Sequence, residues 1–126
     1  MLELALRGGA DARQLLLRGL QQRSLELFTH RVEEFCLRLG RPMPAVGLSN
    51  ARTRWGSCSS RSGIRLHWRL VHLPLGLIDY VVAHEVAHLV EMNHSPRFWA
   101  VVESLYPDHQ AARKALRQAA AHLPSI

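Results

Sequence analysis

Apolar residues recur at three- and four-residue steps from Asp11 to Leu39: Leu15, Leu16, Leu20, Leu27, Phe28, Val32, Phe35 and Leu39. That period predicts one long amphipathic helix. Gly19 weakens its middle, and Gly40 ends it as a C′ glycine. Gly8-Gly9 sets the first residues apart, and Arg41-Pro42-Met43-Pro44 reads as a rigid connection. Strands are then predicted around Val46 to Asn50, Thr53 to Cys58 and Ile64 to Trp68. Ser59 to Gly63 is turn material between the last two. The last strand alternates. Ile64, Leu66, Trp68 and Leu70 take one face, and Arg65, His67 and Arg69 the other. The apolar face should pack on helices, and the polar face should meet solvent or a cleft.

Pro74 suits the first turn of the next helix. That helix is predicted from Leu75 to Met92 and is apolar nearly all round, which marks burial. Ser95-Pro96 opens another helix to Leu105. Tyr106-Pro107-Asp108 breaks it, and Asp108 caps a last helix to Ala121. The expected fold is α+β: an N-terminal helix, a small antiparallel-containing sheet, a buried central helix and two C-terminal helices. A length of 126 residues suggests one domain over 1–126.

The buried helix carries His84-Glu85-Val86-Ala87-His88, and His94 follows six residues later. Residues at i and i+4 share a helix face, so His84 and His88 can hold one ion between them. Neutral imidazoles suit zinc, and a carboxylate beside them can take a proton from water at the ion. A continuous helix would rotate His94 off that face, at ~100° per residue. The helix must therefore stop first, and Asn93 and Ser95-Pro96 supply the break. With eight His in the chain, a chance His-x-x-x-His pair is ordinary; a Glu at its second position and a third His in a break are not. His84, His88 and His94 are the expected zinc ligands, one ion per chain, with Glu85 as the catalytic carboxylate.

Composition narrows the setting. Apolar residues make up 48% of the chain, enough for a core without staples, and no run is long enough to span a bilayer. The N-terminus lacks the pattern of a secretory signal. Cys36 and Cys58 have no partners at ligand spacing, so both are read as free thiols in a reducing cytoplasm. The net charge is +6, from fifteen Arg and one Lys among the cations. A coding bias explains the Arg-to-Lys ratio but not the run Arg52, Arg54, Arg61, Arg65, Arg69, which contains no acid. Such a run is either a solvated strand face or a site for acidic or phosphate-bearing partners.

Arg54-Trp55-Gly56-Ser57-Cys58, the strand ending in Trp68-Arg69-Leu70, the Tyr80 to His88 helix, and Asn93-His94-Ser95 with Phe98-Trp99 together resemble the YgjP-like metal-dependent hydrolases. These are small zincin-type proteins distantly related to SprT-like and WLM proteases. The resemblance covers Arg52 to Pro107. It implies a minimal zincin-like fold, the same ligand set and Glu85 as general base. Two departures stand out: His67 occupies a position where family members commonly carry Asn, and little precedes the first helix. Metzincins share the His spacing, but they need a glycine where this chain has Glu91, and a methionine turn that it lacks.

Three functions are open at this point. A zinc peptidase acting on peptides or proteins is the first. A zinc-dependent hydrolase of nucleotide phosphoanhydrides would use the Arg52 to Arg69 segment for phosphates. A nucleic-acid-associated protease or binding module would add Trp55 and Trp68 as stacking groups. The oxyanion of a peptidase needs a further donor, and Tyr80 and His67 are the candidates. Arg65, His67 and Arg69 are expected to line one wall of the metal cleft. Glu91 and Glu103 are candidates to orient the ligand histidines. No membrane partner is expected.

Overall fold

A computed structural model describes the backbone of residues 9–51 and 54–122. Helix α1 (Gly9–Leu39) is followed by strands β1 (Val46–Ser49), β2 (Gly56–Ser59) and β3 (Gly63–His67) and by a 3-10 turn (Trp68–His72). Helices α2 (Leu75–Ala87), α3 (Pro96–Leu105) and α4 (His109–His122) follow. The class is α+β, as the pattern predicts. The proposed opening of the second strand at Thr53, with Arg52 of the basic run and the first eight residues, lies outside the described residues.

The end of α1 follows from Gly40. Its φ of +66° is the left-handed conformation that glycine adopts without cost. The Gly40 amide donates to the Leu37 carbonyl and the Arg41 amide to that of Cys36, at 3.2 and 2.9 Å. This pair of bonds is a Schellman close. One face of α1 then enters the core through Phe28, Val32, Phe35 and Cys36, none more than 2% exposed.

The first half of α1 departs from expectation. Leu15 and Leu16 are 45% and 74% exposed, and no described element covers them. The reason is length. At ~1.5 Å per residue, α1 is more than twice as long as α2, the helix it packs against. Its N-terminal half overhangs the rest.

The sheet has the order β1-β3-β2 and is mixed. β3 pairs in parallel with β1, Val46 opposite Ile64, and antiparallel with β2, Cys58 opposite Ile64. Only the β2–β3 connection is a hairpin. The segment between β1 and β2 carries the chain past the central strand to the opposite edge, and that makes one pairing parallel. Ile64 and Leu66 point into the core at 0% exposure. The strand stops at His67, so the alternation expected through Leu70 does not continue. The His67 ring nitrogen Nδ1 accepts from the Arg69 amide at 3.2 Å and caps the 3-10 turn.

Helix α2 runs through the middle, against α1, β2, α3 and α4. Ile78, Val81, Val82, Ala83, Val86 and Ala87 are all buried. Arg31 of α1 clamps it with two bonds to Asp79, Nε to Oδ1 at 2.7 Å and Nη2 to Oδ2 at 3.1 Å. Such a fork fixes orientation as well as distance.

Candidate metal centre

Helix α2 ends at Ala87, earlier than the expected Met92. Its last turn tightens: the amides of His88, Leu89 and Val90 donate three residues back, to the carbonyls of Glu85, Val86 and Ala87. The chain thus leaves the helix axis immediately after the second histidine, and Met92 to His94 are exposed bends and coil. The break sits upstream of Asn93, but its consequence is the one argued from the sequence: His94 turns back toward His84 and His88. Ser95 then starts α3, its Oγ accepting from the Phe98 amide at 3.3 Å, with Pro96 in the first turn.

One candidate ligand atom from each of His84, His88 and His94 lies within 4.8 Å of the others. Nε2 of His94 is 3.4 Å from Nε2 of His84. Two nitrogens about 2 Å from one tetrahedral zinc stand roughly 3.4 Å apart, so the spacing of this pair matches such an ion and the three together are close enough to hold one metal. Nδ1 of His88 faces the Glu91 carbonyl at 3.2 Å, leaving its Nε2 for an ion. Glu91 thus orients a histidine through its backbone, whereas Glu103 is exposed on α3. Phe98, fully buried, is the floor on which the three imidazoles are arranged. Its ring lies 4.4 Å from that of His88, 4.9 Å from His94 and 5.0 Å from His84.

Burial sets the charges. His84 is held neutral, its pKa lowered to about 4 by burial and by the neighbouring His88 and His94. A metal site needs its imidazoles in that state. Glu85 is only 6% exposed, and burial raises its carboxyl to about 7, while Arg54 works the other way. Its carboxylate lies against Gly56 of β2: a Cβ there would meet Oε2 at 3.0 Å and Leu66 Cδ2 at 3.1 Å. Glycine in the Arg54 to Cys58 motif therefore makes room for the glutamate. The Cys58 thiol, pushed up to about 11 by burial first and Glu85 second, is no nucleophile at neutral pH.

A cavity of about 290 Å³ opens beside His84 and Glu85, with Tyr80, Trp55 and Gly56 on its walls. Its basic residues are Arg54, Arg113 and Arg117. The expected wall of Arg65, His67 and Arg69 does not line it. Arg65 lies along the sheet and donates to the Leu48 carbonyl at 3.2 Å. His67 is 2% exposed, between the rings of Trp55 and Trp68, with Nδ1 used in the cap. Arg69 sits over the Trp68 ring at 5.1 Å. The alternation argument fails here because the strand ends at His67 and the next residues coil. Tyr80 fares better: its ring meets His84 edge-on at 6.2 Å and lines the cavity. Phe98, Gly56, Arg113 and Arg117 were missed as site residues. The only signal for the last two was their one-turn spacing around Leu116.

A buried helix presenting paired imidazoles over a small sheet, with a third from the segment beyond, defines a metal-dependent hydrolase of the zincin type. The sequence matches the YgjP-like metallopeptidase domain over residues 3–119, and the chain belongs to that family. The match reaches well outside Arg52 to Pro107, into α1 and α4. The fold is similar to the crystal structure of the metallopeptidase zymogen of Pyrococcus abyssi abylysin, at a TM-score of 0.67 and 22% identity over 73% of this chain and 93% of that one. It is also similar to the zymogen of Methanocaldococcus jannaschii jannalysin, at 0.64 and 17% over 73% and 95%. At these identities the likeness is one of fold. No curated protein matches the chain. The protein is therefore a metal-dependent protease by family, with a metal ion as its cofactor and a peptide or protein as its substrate. No described helix is long and apolar enough to cross a membrane.

Proposed function

We propose that this protein is a zinc peptidase in which His84, His88 and His94 hold the ion and Glu85 is the general base. The observation that carries the reading is the carboxylate itself: buried in the cavity that His84 also lines, lodged over Gly56, with a pKa of about 7. A general base works best with its pKa near the working pH. Three histidines match the ligand count of catalytic zinc sites, which leave one position open. When bound, the ion acidifies water and polarises the carbonyl it faces. Glu85 takes the proton of the attacking water on its carboxylate and hands it to the leaving amine. Tyr80 lines the same cavity, and its hydroxyl has no hydrogen-bond partner among the described residues, so it can donate to the developing oxyanion.

The family is one of metallopeptidases and, of the described arginines in the Arg52 to Arg69 run, only Arg54 lines the cavity, so the peptidase reading is preferred to the phosphoanhydride one. Purified protein should carry about one zinc per chain, and alanine at any of the three histidines should sharply reduce it. Glu85→Gln should keep metal and fold and lose about two to four powers of ten in peptide hydrolysis. Hydrolysis at the wild-type rate by that variant would remove Glu85 from the chemistry. Full metal occupancy after His94→Ala would remove the third ligand.

A further inference from the structure

The cavity beside Glu85 carries three guanidinium groups, Arg54, Arg113 and Arg117, against a single acid, Glu85 itself. A second cavity, of about 490 Å³, is lined by His84, His94 and Trp99, and Arg113 lines it too. Arg113 therefore stands where the two spaces meet, beside the histidines. It lies 5.2 Å from the centre of the Trp99 ring, which itself stacks on His109. An indole face holds a guanidinium without using its five N–H donors. Those donors remain available.

The ordinary reading of exposed arginines on a terminal helix is a solvated surface. Two features speak against it here. Residues from the approach to β2 and from α4, distant in the chain, converge on one cavity containing a buried carboxylate. Arg54 acts on the Glu85 carboxylate, but among the described residues neither Arg113 nor Arg117 has a hydrogen bond or ion pair to a carboxylate or carbonyl: the ion pairs join Arg31 to Glu34 and Asp79. Elsewhere arginines are engaged, Arg38 with the Ser104 carbonyl and Arg65 with that of Leu48. A concave site walled by one sign of charge focuses its field on whatever enters. A carboxylate entering it meets planar forks that bind it through two bonds at once, and a basic peptide is repelled.

We propose that the cleft selects peptides bearing a carboxylate next to the scissile bond, with Arg113 as the principal receptor and Arg54 and Arg117 flanking it. This selectivity rests on the peptidase reading above. The carboxylate is either an Asp or Glu side chain or the free C-terminus of the peptide, and one set of peptides separates the two. Zinc-loaded Glu85→Gln protein is titrated with peptides differing only by Glu or Gln beside the bond, each with a free and an amidated C-terminus, and tryptophan fluorescence is followed. Carboxylate-bearing peptides should bind about ten- to a hundredfold tighter, the effect of a hydrogen bond between charged groups. Preference for Glu in amidated peptides identifies the side chain; dependence on the free terminus alone identifies the C-terminus. Arg113→Gln should abolish the preference, and Arg113→Lys should retain part of it. Equal binding of all four peptides, or binding of none, overturns the proposal. Cleavage of the same set by the wild type keeps the two readings apart. Hydrolysis without charge preference removes only the selectivity, whereas bound peptides that the wild type never cleaves remove the peptidase.

Discussion

At the scale of single residues, the chemistry rests on contacts between side chains far apart in the chain. His84, Glu85 and His88 were legible because their spacing is a property of one helix. The seat of Glu85 was not, because Gly56 comes from a strand whose register no local pattern specifies. The contact makes a sharp prediction. In Gly56→Ala the new methyl would press on the Glu85 carboxylate and on Leu66 at about 3 Å. The carboxylate is the end of a side chain and must give way. The variant should retain its metal, since the atoms nearest the new methyl belong to Glu85 and Leu66 and not to a histidine, yet lose at least tenfold in peptide hydrolysis, as misplacement of a reacting group costs. Metal analysis beside kinetics checks it; full activity would mean that Glu85 tolerates displacement. His67 teaches the converse. Its residue type invited a catalytic role, but burial and the cap it forms make it a folding residue.

Among elements, periodicity predicted where helices and strands lie, and it misled where they end. Hydrophobic character continues through Leu89 and Val90, so nothing in the pattern marks Ala87 as the last helical residue. The tightened turn that follows is what brings the Glu91 carbonyl to His88. The start of α3 was legible because Ser95-Pro96 is a local signal. Its cap should matter for function as well as stability: Ser95→Ala should cost about 1 kcal/mol and weaken metal retention, because Ser95 adjoins His94. Chemical denaturation and a competition titration with a zinc chelator would show it; unchanged zinc affinity would mean that the Phe98 floor alone fixes the His94 ring. Helix α1 offers a contrast within one element. Phe28→Ala, at 0% exposure, should cost about 3 to 5 kcal/mol. Leu16→Ala, at 74% exposure, should change stability by less than about 0.5 kcal/mol. The sequence pattern treats these two as equals, because an apolar stripe does not say how far along the helix its neighbours reach.

The whole molecule must hold two half-buried imidazoles and a buried carboxylate against one small core, and that requirement couples its stability to pH and to metal. In the metal-free protein Glu85 titrates at about 7 instead of 4.5, so the folded state keeps a proton that the unfolded chain releases. Stability from this group is complete below 4.5 and falls as pH rises to about 7, by an amount on the order of 3 kcal/mol. His84 runs the other way. Its pKa drops from 6.5 to about 4, so its contribution is present above 6.5 and is lost as pH falls toward 4. These two groups place the stability optimum of the metal-free protein between the two limbs, on the acid side of neutrality. Zinc should change the profile. A cation among the histidines favours the ionised carboxylate and so flattens the high-pH limb, while protons competing for three imidazoles steepen the low one. Glu85→Gln provides the internal control, because the amide cannot ionise. In chelator-treated protein at pH 8 this variant should be more stable than the wild type by up to about 3 kcal/mol, and near pH 4.5 the two should coincide. Urea unfolding across that range reads the difference directly. A constant gap between wild type and variant at every pH would mean that Glu85 is not held protonated by burial, and the high-pH limb would then need another source.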